Sequence, residues 1–201
     1  MKTKQIFLTL LVAALMLSLL TACGAPSGDE TQTDPPTETQ TEVQTEATTE
    51  PNLVQYQHPI GVSLSMEAGF TESSIEGVLA CYEGELSNVR FAEELFESLE
   101  ALEMGYSGEM TLEEYAQLIL DAYQLEGEPM TDDYGNVYIH YTQDIQGYEV
   151  AYYAYFNKGE VAFWTTTFMC FEEIASDMED DFALWASTIQ VPDTAVTEPI
   201  T

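Results

Sequence analysis

Apolar and polar positions divide this chain into stretches of different character. Residues 6–20 are apolar except for Thr9 and Ser18, and residues 24–52 have Val43 as their one large aliphatic side chain and no aromatic. From residue 53 to 191 aromatic and aliphatic side chains become dense, and from Pro192 to Thr201 the polar style returns. The third stretch, about 140 residues, is the common size of one domain and long enough to bury a core.

Within it the periodicity predicts an order of elements. Residues 60–66 alternate, with Val62, Leu64 and Met66 on one side and Ser63 and Ser65 on the other, as a half-buried strand does; Gly69 ends it. Residues 75–82 are nearly all apolar and predict a central strand covered on both faces. Ala92, Leu95, Phe96, Leu99 and Leu102 then fall at helical spacing, which predicts a helix capped by Ser87 or Asn88 with an acidic outer face. Thr111 with Glu114 makes a capping box for a second helix, whose stripe is Leu112, Tyr115, Ala116, Ile119, Ala122 and Tyr123.

After Gly127 and Pro129 the period returns to two. Val137, Ile139 and Tyr141 alternate with Tyr138, His140 and Thr142. The turn at residues 144–147 leads into residues 148–156, and the turn at 157–159 leads into 161–171. Three strands joined by short turns predict an antiparallel meander. Ser176 with Glu179 suggests a capping box for a closing helix, with Met178, Phe182, Trp185 and Ile189 as its stripe. The predicted order is β-β-α-α-β-β-β-α, with a possible extra short strand at 128–131. Sheet faces that are apolar on both sides need cover on both, so the expected class is α+β: an antiparallel β-sheet covered by helices on both faces, an α/β/α sandwich.

The N-terminal stretch reads as an address. Lys2 and Lys4 precede the apolar run, which is shorter than the roughly 20 residues a spanning helix needs, and small residues follow it. Leu20-Thr21-Ala22-Cys23 resembles the lipobox of bacterial lipoproteins. The resemblance implies a signal peptide over residues 1–22, cleavage before Cys23, and a diacylglyceryl lipid on that cysteine. Two acyl chains provide the double signal that stable membrane anchoring takes. The implied location is the outer face of the cell membrane, in a bacterium with a single membrane and a thick wall.

Charge narrows the partners. All 36 acidic residues follow Cys23, against two cations, Arg90 and Lys158, which leaves a formal charge of −34 beyond the signal. Such a surface repels nucleic acid and anionic headgroups, so no nucleic-acid partner is expected and membrane attachment falls to the lipid. Residues 23–52, beginning at the lipidated cysteine, hold seven carboxylates and the pair Pro35-Pro36. They lack the apolar area to offset the entropy of ordering, which predicts a disordered tether. It serves either as a spacer through a wall layer, with threonines open to glycosylation, or as a plain solvated linker. Residues 192–201 predict a disordered tail.

The stretch Gly61-Val62-Ser63-Leu64-Ser65-Met66-Glu67-Ala68-Gly69-Phe70 resembles the first strand of PsbP-like proteins. Phe163-Trp164 and the run from Phe182 to Ile189 are similar to their last strand and C-terminal helix. The resemblance spans residues 53–191 and rests on packing patterns. It implies a non-catalytic adaptor, binding without turnover, and with the lipid address the expected partner is another extracytoplasmic protein; a cystatin-like or nuclear-transport-factor-like α+β domain is the competing fold.

Candidate chemistry is sparse. No catalytic residue is assigned and no cofactor is expected: His58 and His140 stand in no metal-ligand spacing, and no nucleophile elbow or phosphate-binding glycine loop occurs. A hydrolase would need a buried carboxylate pair, which sequence alone does not single out. Cys81 and Cys170 are either a disulfide or two buried thiols. Asp177, Asp180 and Asp181 are weak calcium candidates, equally explained as acids at a helix start. Seven of the twelve tyrosines lie between residues 134 and 155. Tyr138, His140, Tyr153 and Tyr155 would form either a packed cross-strand array or an exposed platform for a solute, glycan or protein.

Overall fold

The computed structural model describes residues 52–75 and 77–197. A seven-stranded sheet, antiparallel throughout, has the order β3-β4-β5-β9-β8-β7-β6: β3 is Thr71–Ser73, β4 Ala80–Glu83, β5 Ser87–Leu95, β6 Met130–Thr131, β7 Val137–Ile145, β8 Tyr148–Lys158 and β9 Ala162–Phe171. A separate hairpin joins β1 (Val54–Gln57) to β2 (Ser63–Met66). Among the described residues the helices are α1 (Phe96–Ala101), α2 (Leu112–Tyr123) and α3 (Ala175–Ala186). Lipobox, signal and tether lie outside the described residues. None of the described helices is long and apolar enough to cross a membrane.

The meander forms as its alternation dictates. Gln146 and Gly147 close the β7–β8 hairpin with φ of 57° and 89°, the two positive values that a tight two-residue turn demands. Met130–Thr131 is the short extra strand. The capping box of α2 is made in both directions: Thr111 Oγ1 accepts from the Glu114 N–H at 3.2 Å, and Glu114 Oε2 accepts from the Thr111 N–H at 2.8 Å.

The first predicted helix is corrected. Residues 87–95 form β5, paired with β9 from Ser87↔Cys170 to Leu95↔Ala162. The 3.6-residue stripe from Ala92 competes with a period-two set, Val89, Phe91 and Leu95, which is the set that the structure buries. Nine residues of pairing beside the central β9 outweigh helical spacing, and α1 keeps only the last turn and a half of that stripe.

Smaller corrections have local causes. The apolar run 75–82 enters the sheet only at Ala80, because Gly77, at φ 81°, breaks it. Hairpin strand β1 had no expected counterpart. Ser176 does not cap α3: the helix starts at Ala175 out of a 3₁₀ turn at Glu172–Ile174, and Ile174 at the cap makes no side-chain bond. The expected tail is held through residue 197: Glu93 accepts hydrogen bonds from the N–H of Val196 and of Thr197 and from Thr197 Oγ1, at 2.6 to 3.1 Å.

Each sheet face carries its own core. Helix α3 and the β1–β2 hairpin cover one face, packing Phe182 and Trp185 on Phe168, with Trp164, Phe91, Tyr153 and Tyr155 around them. Helix α2 covers the other, over Val137, Ile139, Ala154, Phe156 and Phe163. The α/β/α layering is therefore present, but α2 is 12 residues long and shields only one half of its face. The remaining half presents Arg90, Tyr141, Tyr152 and Met169 to a cleft.

Candidate functional site

Cys23 lies outside the described residues. Cys81 and Cys170 are buried free thiols. Strand β5 runs between their strands, Cys81 facing Arg90 and Cys170 facing Ser87, and their parities place them on opposite sheet faces. Two interstrand spacings, about 9.5 Å, already exceed the span of a disulfide, so the pairing alternative falls and the buried-thiol reading stands.

The tyrosine platform is likewise corrected. Tyr138, Tyr153 and Tyr155 are 8%, 3% and 1% exposed beneath α3. Their rings form a ladder with His140: Tyr138 stacks on Tyr155 at 5.1 Å, and His140 on Tyr153 at 4.3 Å. Burial pushes the Tyr138 and Tyr153 hydroxyls up, and Glu179 adds to the shift. This is packing of cross-strand aromatics. Asp177, Asp180 and Asp181 are all exposed along α3, and no group of three potential ligands that could hold a metal ion occurs among the described residues. His58 ties the hairpin to the sheet edge: its Nε2 lies 3.5 Å from Glu72 Oε1.

The functional geometry lies on the opposite face. Even-numbered residues of β5 point toward α2, which brings Arg90 and Glu94 to one cleft of about 150 Å³. Tyr115 and Tyr123 of α2 form one wall, and Tyr141 and Tyr152 of the meander form another. The latter two rings lie parallel, 4.9 Å apart at 3°. Gly77 and Val78 of the β3–β4 connection close the rim. The threonines at 165 and 167 add hydroxyls to the floor, and Tyr115 is hydrogen-bonded to Thr165.

Two opposite charges set the electrostatics. Arg90 Nε is enclosed and has no hydrogen-bond partner among the described residues, while Cys81 is hydrogen-bonded to the same guanidinium. Burial raises the hydroxyls of Tyr141 and Tyr152, and Arg90 pulls both back. At the other end, burial pushes the Glu94 carboxyl up to about 7, with neighbouring Glu93 adding to it. Tyr115 and Tyr123 are raised by burial and then by Glu94. Glu93 itself points through the sheet to the tail segment, so these adjacent carboxylates do not form a hydrolase pair.

Beyond Arg90 the open half-face continues into a second hollow of about 250 Å³, flanked by the β4–β5 turn, Ile145, Val150 and Phe171. Leu86, Tyr148 and Phe171 on this side are 56%, 60% and 47% exposed.

Sequence reasoning missed Arg90 and Glu94 because it placed both in a helix. The available signal was the single arginine of a strongly acidic chain, lying in a stretch where Val89 and Phe91 alternate.

Compared with protein families the chain matches none, and no curated protein sequence matches it. Among solved structures it is similar to a crystal structure from Bacteroides thetaiotaomicron, with 9% identity, a TM-score of 0.46, and coverage of 69% of this chain and 48% of that one. The chain thus spans about half the length of that neighbour. It is also similar to the solution structure of cyanobacterial PsbP from Synechocystis, at 14% identity and a TM-score of 0.42, covering 73% of this chain and 96% of that one. Likeness at this level places the chain in no family.

Proposed function

We propose that this chain is a lipid-anchored extracytoplasmic protein that binds a small solute, without turnover, in the cleft between α2 and the open half of the sheet. The observation that carries the reading is the convergence of Arg90, Glu94 and four tyrosines on one partly enclosed volume. Concave sites with an aromatic lining and a few placed polar groups are the usual form of ligand pockets. The address comes from Leu20-Thr21-Ala22-Cys23, with the tether over residues 24–52 giving the domain reach from the membrane.

Two measurements test this reading. Replacing Cys23 with alanine is expected to move the protein from the membrane fraction to the soluble one; retention in the membrane contradicts the anchor. A thermal-shift screen of small solutes on the full chain is expected to find ligands whose stabilisation disappears in Arg90→Gln. A screen with no ligand, or ligands indifferent to Arg90, contradicts the cleft.

The adaptor reading has its own observation, the exposed apolar row of Leu86, Tyr148 and Phe171 beside the cleft. Exposed aromatics at a concave edge suit a protein partner. On that reading, Tyr148→Ser with Phe171→Ser abolishes capture of an extracytoplasmic protein and leaves solute binding intact.

A further inference from the structure

Arg90 and Glu94 are four residues apart on one strand, on one face, and open onto the same cleft. Their Cα atoms are therefore about 13 Å apart along β5. The enclosed Arg90 Nε is unbonded, and no ion pair to Arg90 or Glu94 forms among the described residues. Lys158, the other cation beyond the signal, is engaged elsewhere: it donates to the Met110 carbonyl at 3.1 Å and lies over the rings of Phe96 and Phe163.

We infer that the cleft takes a linear zwitterion, an ω-amino acid, with its carboxylate on Arg90, its ammonium on Glu94, and its methylene chain along the Tyr141–Tyr152 wall. This rests on the reading of the cleft as a small-solute site. A guanidinium suits a carboxylate because its planar fork offers two parallel donors. A half-buried carboxylate suits an ammonium because the opposite charge offsets the cost of ionising it away from water.

The body of the protein argues against the single-charge alternatives. A monoanion approaches Arg90 against the field of a polyanionic surface, and a monocation gains nothing from an arginine in its site. A zwitterion has no net charge for that field to act on, so local geometry decides. Size sets a further limit. A cavity of about 150 Å³ holds a body about as large as benzene, roughly six heavy atoms, which the carbon chain of a short ω-amino acid fills while its charged ends reach Arg90 and Glu94. With Cα atoms about 13 Å apart, the two poles suit an extended chain better than an α-amino acid, whose charges sit on adjacent carbons. A chain of several methylenes, as in δ-aminovalerate, meets both conditions.

Calorimetry on the full chain with δ-aminovalerate, pentanoate and pentylamine is the test. The zwitterion is expected to bind at least tenfold more tightly than either single-charge analogue. Glu94→Gln should level δ-aminovalerate with pentanoate, and Arg90→Gln should level it with pentylamine. If pentanoate or pentylamine binds as well as the zwitterion, the ligand class is overturned while the cleft stands. If none of the three binds but other solutes bind in an Arg90-dependent way, the inference fails and the solute-site reading survives. If no solute of any class binds, both fail.

Discussion

The ring of Tyr115 on α2 lies parallel to that of Phe163 on β9, with centroids 4.3 Å apart at 11°. Phe163 is also the cross-strand neighbour of Glu94, so this stack fixes α2 to the sheet at the acidic end of the cleft. Truncating a buried phenylalanine costs about 3–5 kcal/mol. Phe163→Ala is expected to lower unfolding free energy by that amount in urea and to loosen the cleft wall. A loss below about 1 kcal/mol contradicts the role assigned to the stack.

Glu94 makes stability depend on pH in a definite direction. Its carboxyl titrates near 7 in the folded chain, against an ordinary value of 4.5. The native state therefore holds more protons than the unfolded state between those values, and stability falls as pH rises through that window. Two and a half units correspond to about 3 kcal/mol, which partial exposure of the side chain reduces to about 2 kcal/mol. Glu94→Gln should be more stable than the native sequence by about that much at pH 8, with the difference vanishing near pH 4.5. A difference that does not change with pH contradicts the burial of this group.

The cysteines give a chemical check. Burial pushes the Cys170 thiol up to about 11, with Glu172 adding to it, and burial also raises Cys81. Alkylation of the native protein at pH 8 should be slow at both. After denaturation without reductant both should react fully, as free thiols. A peptide cross-linking Cys81 to Cys170 contradicts the strand order.

Much of the fold was legible because its strongest signals were local. The β7–β9 meander follows from alternation broken by turn residues, and α2 from Thr111, Glu114 and a clean apolar stripe. Residues 87–95 were not legible in the same way. There a helical and a strand-like pattern overlap, and the choice is made by β9, which lies more than sixty residues away in sequence. The site was lost with the strand, since only a strand turns Arg90 and Glu94 to one side while Glu93 faces the other. The tyrosine cluster was visible, but which of its faces lay under a helix depended on where α3 packed.

One resonance reports on the central claim. The chain contains a single arginine, so the Nε–H of Arg90 gives one assignable NMR signal. Titrating the full chain with small solutes should move that signal saturably, together with the ring resonances of Tyr141 and Tyr152. If every solute leaves the Arg90 Nε–H where it is, or moves only groups near Leu86, Tyr148 and Phe171, the cleft is not the binding site.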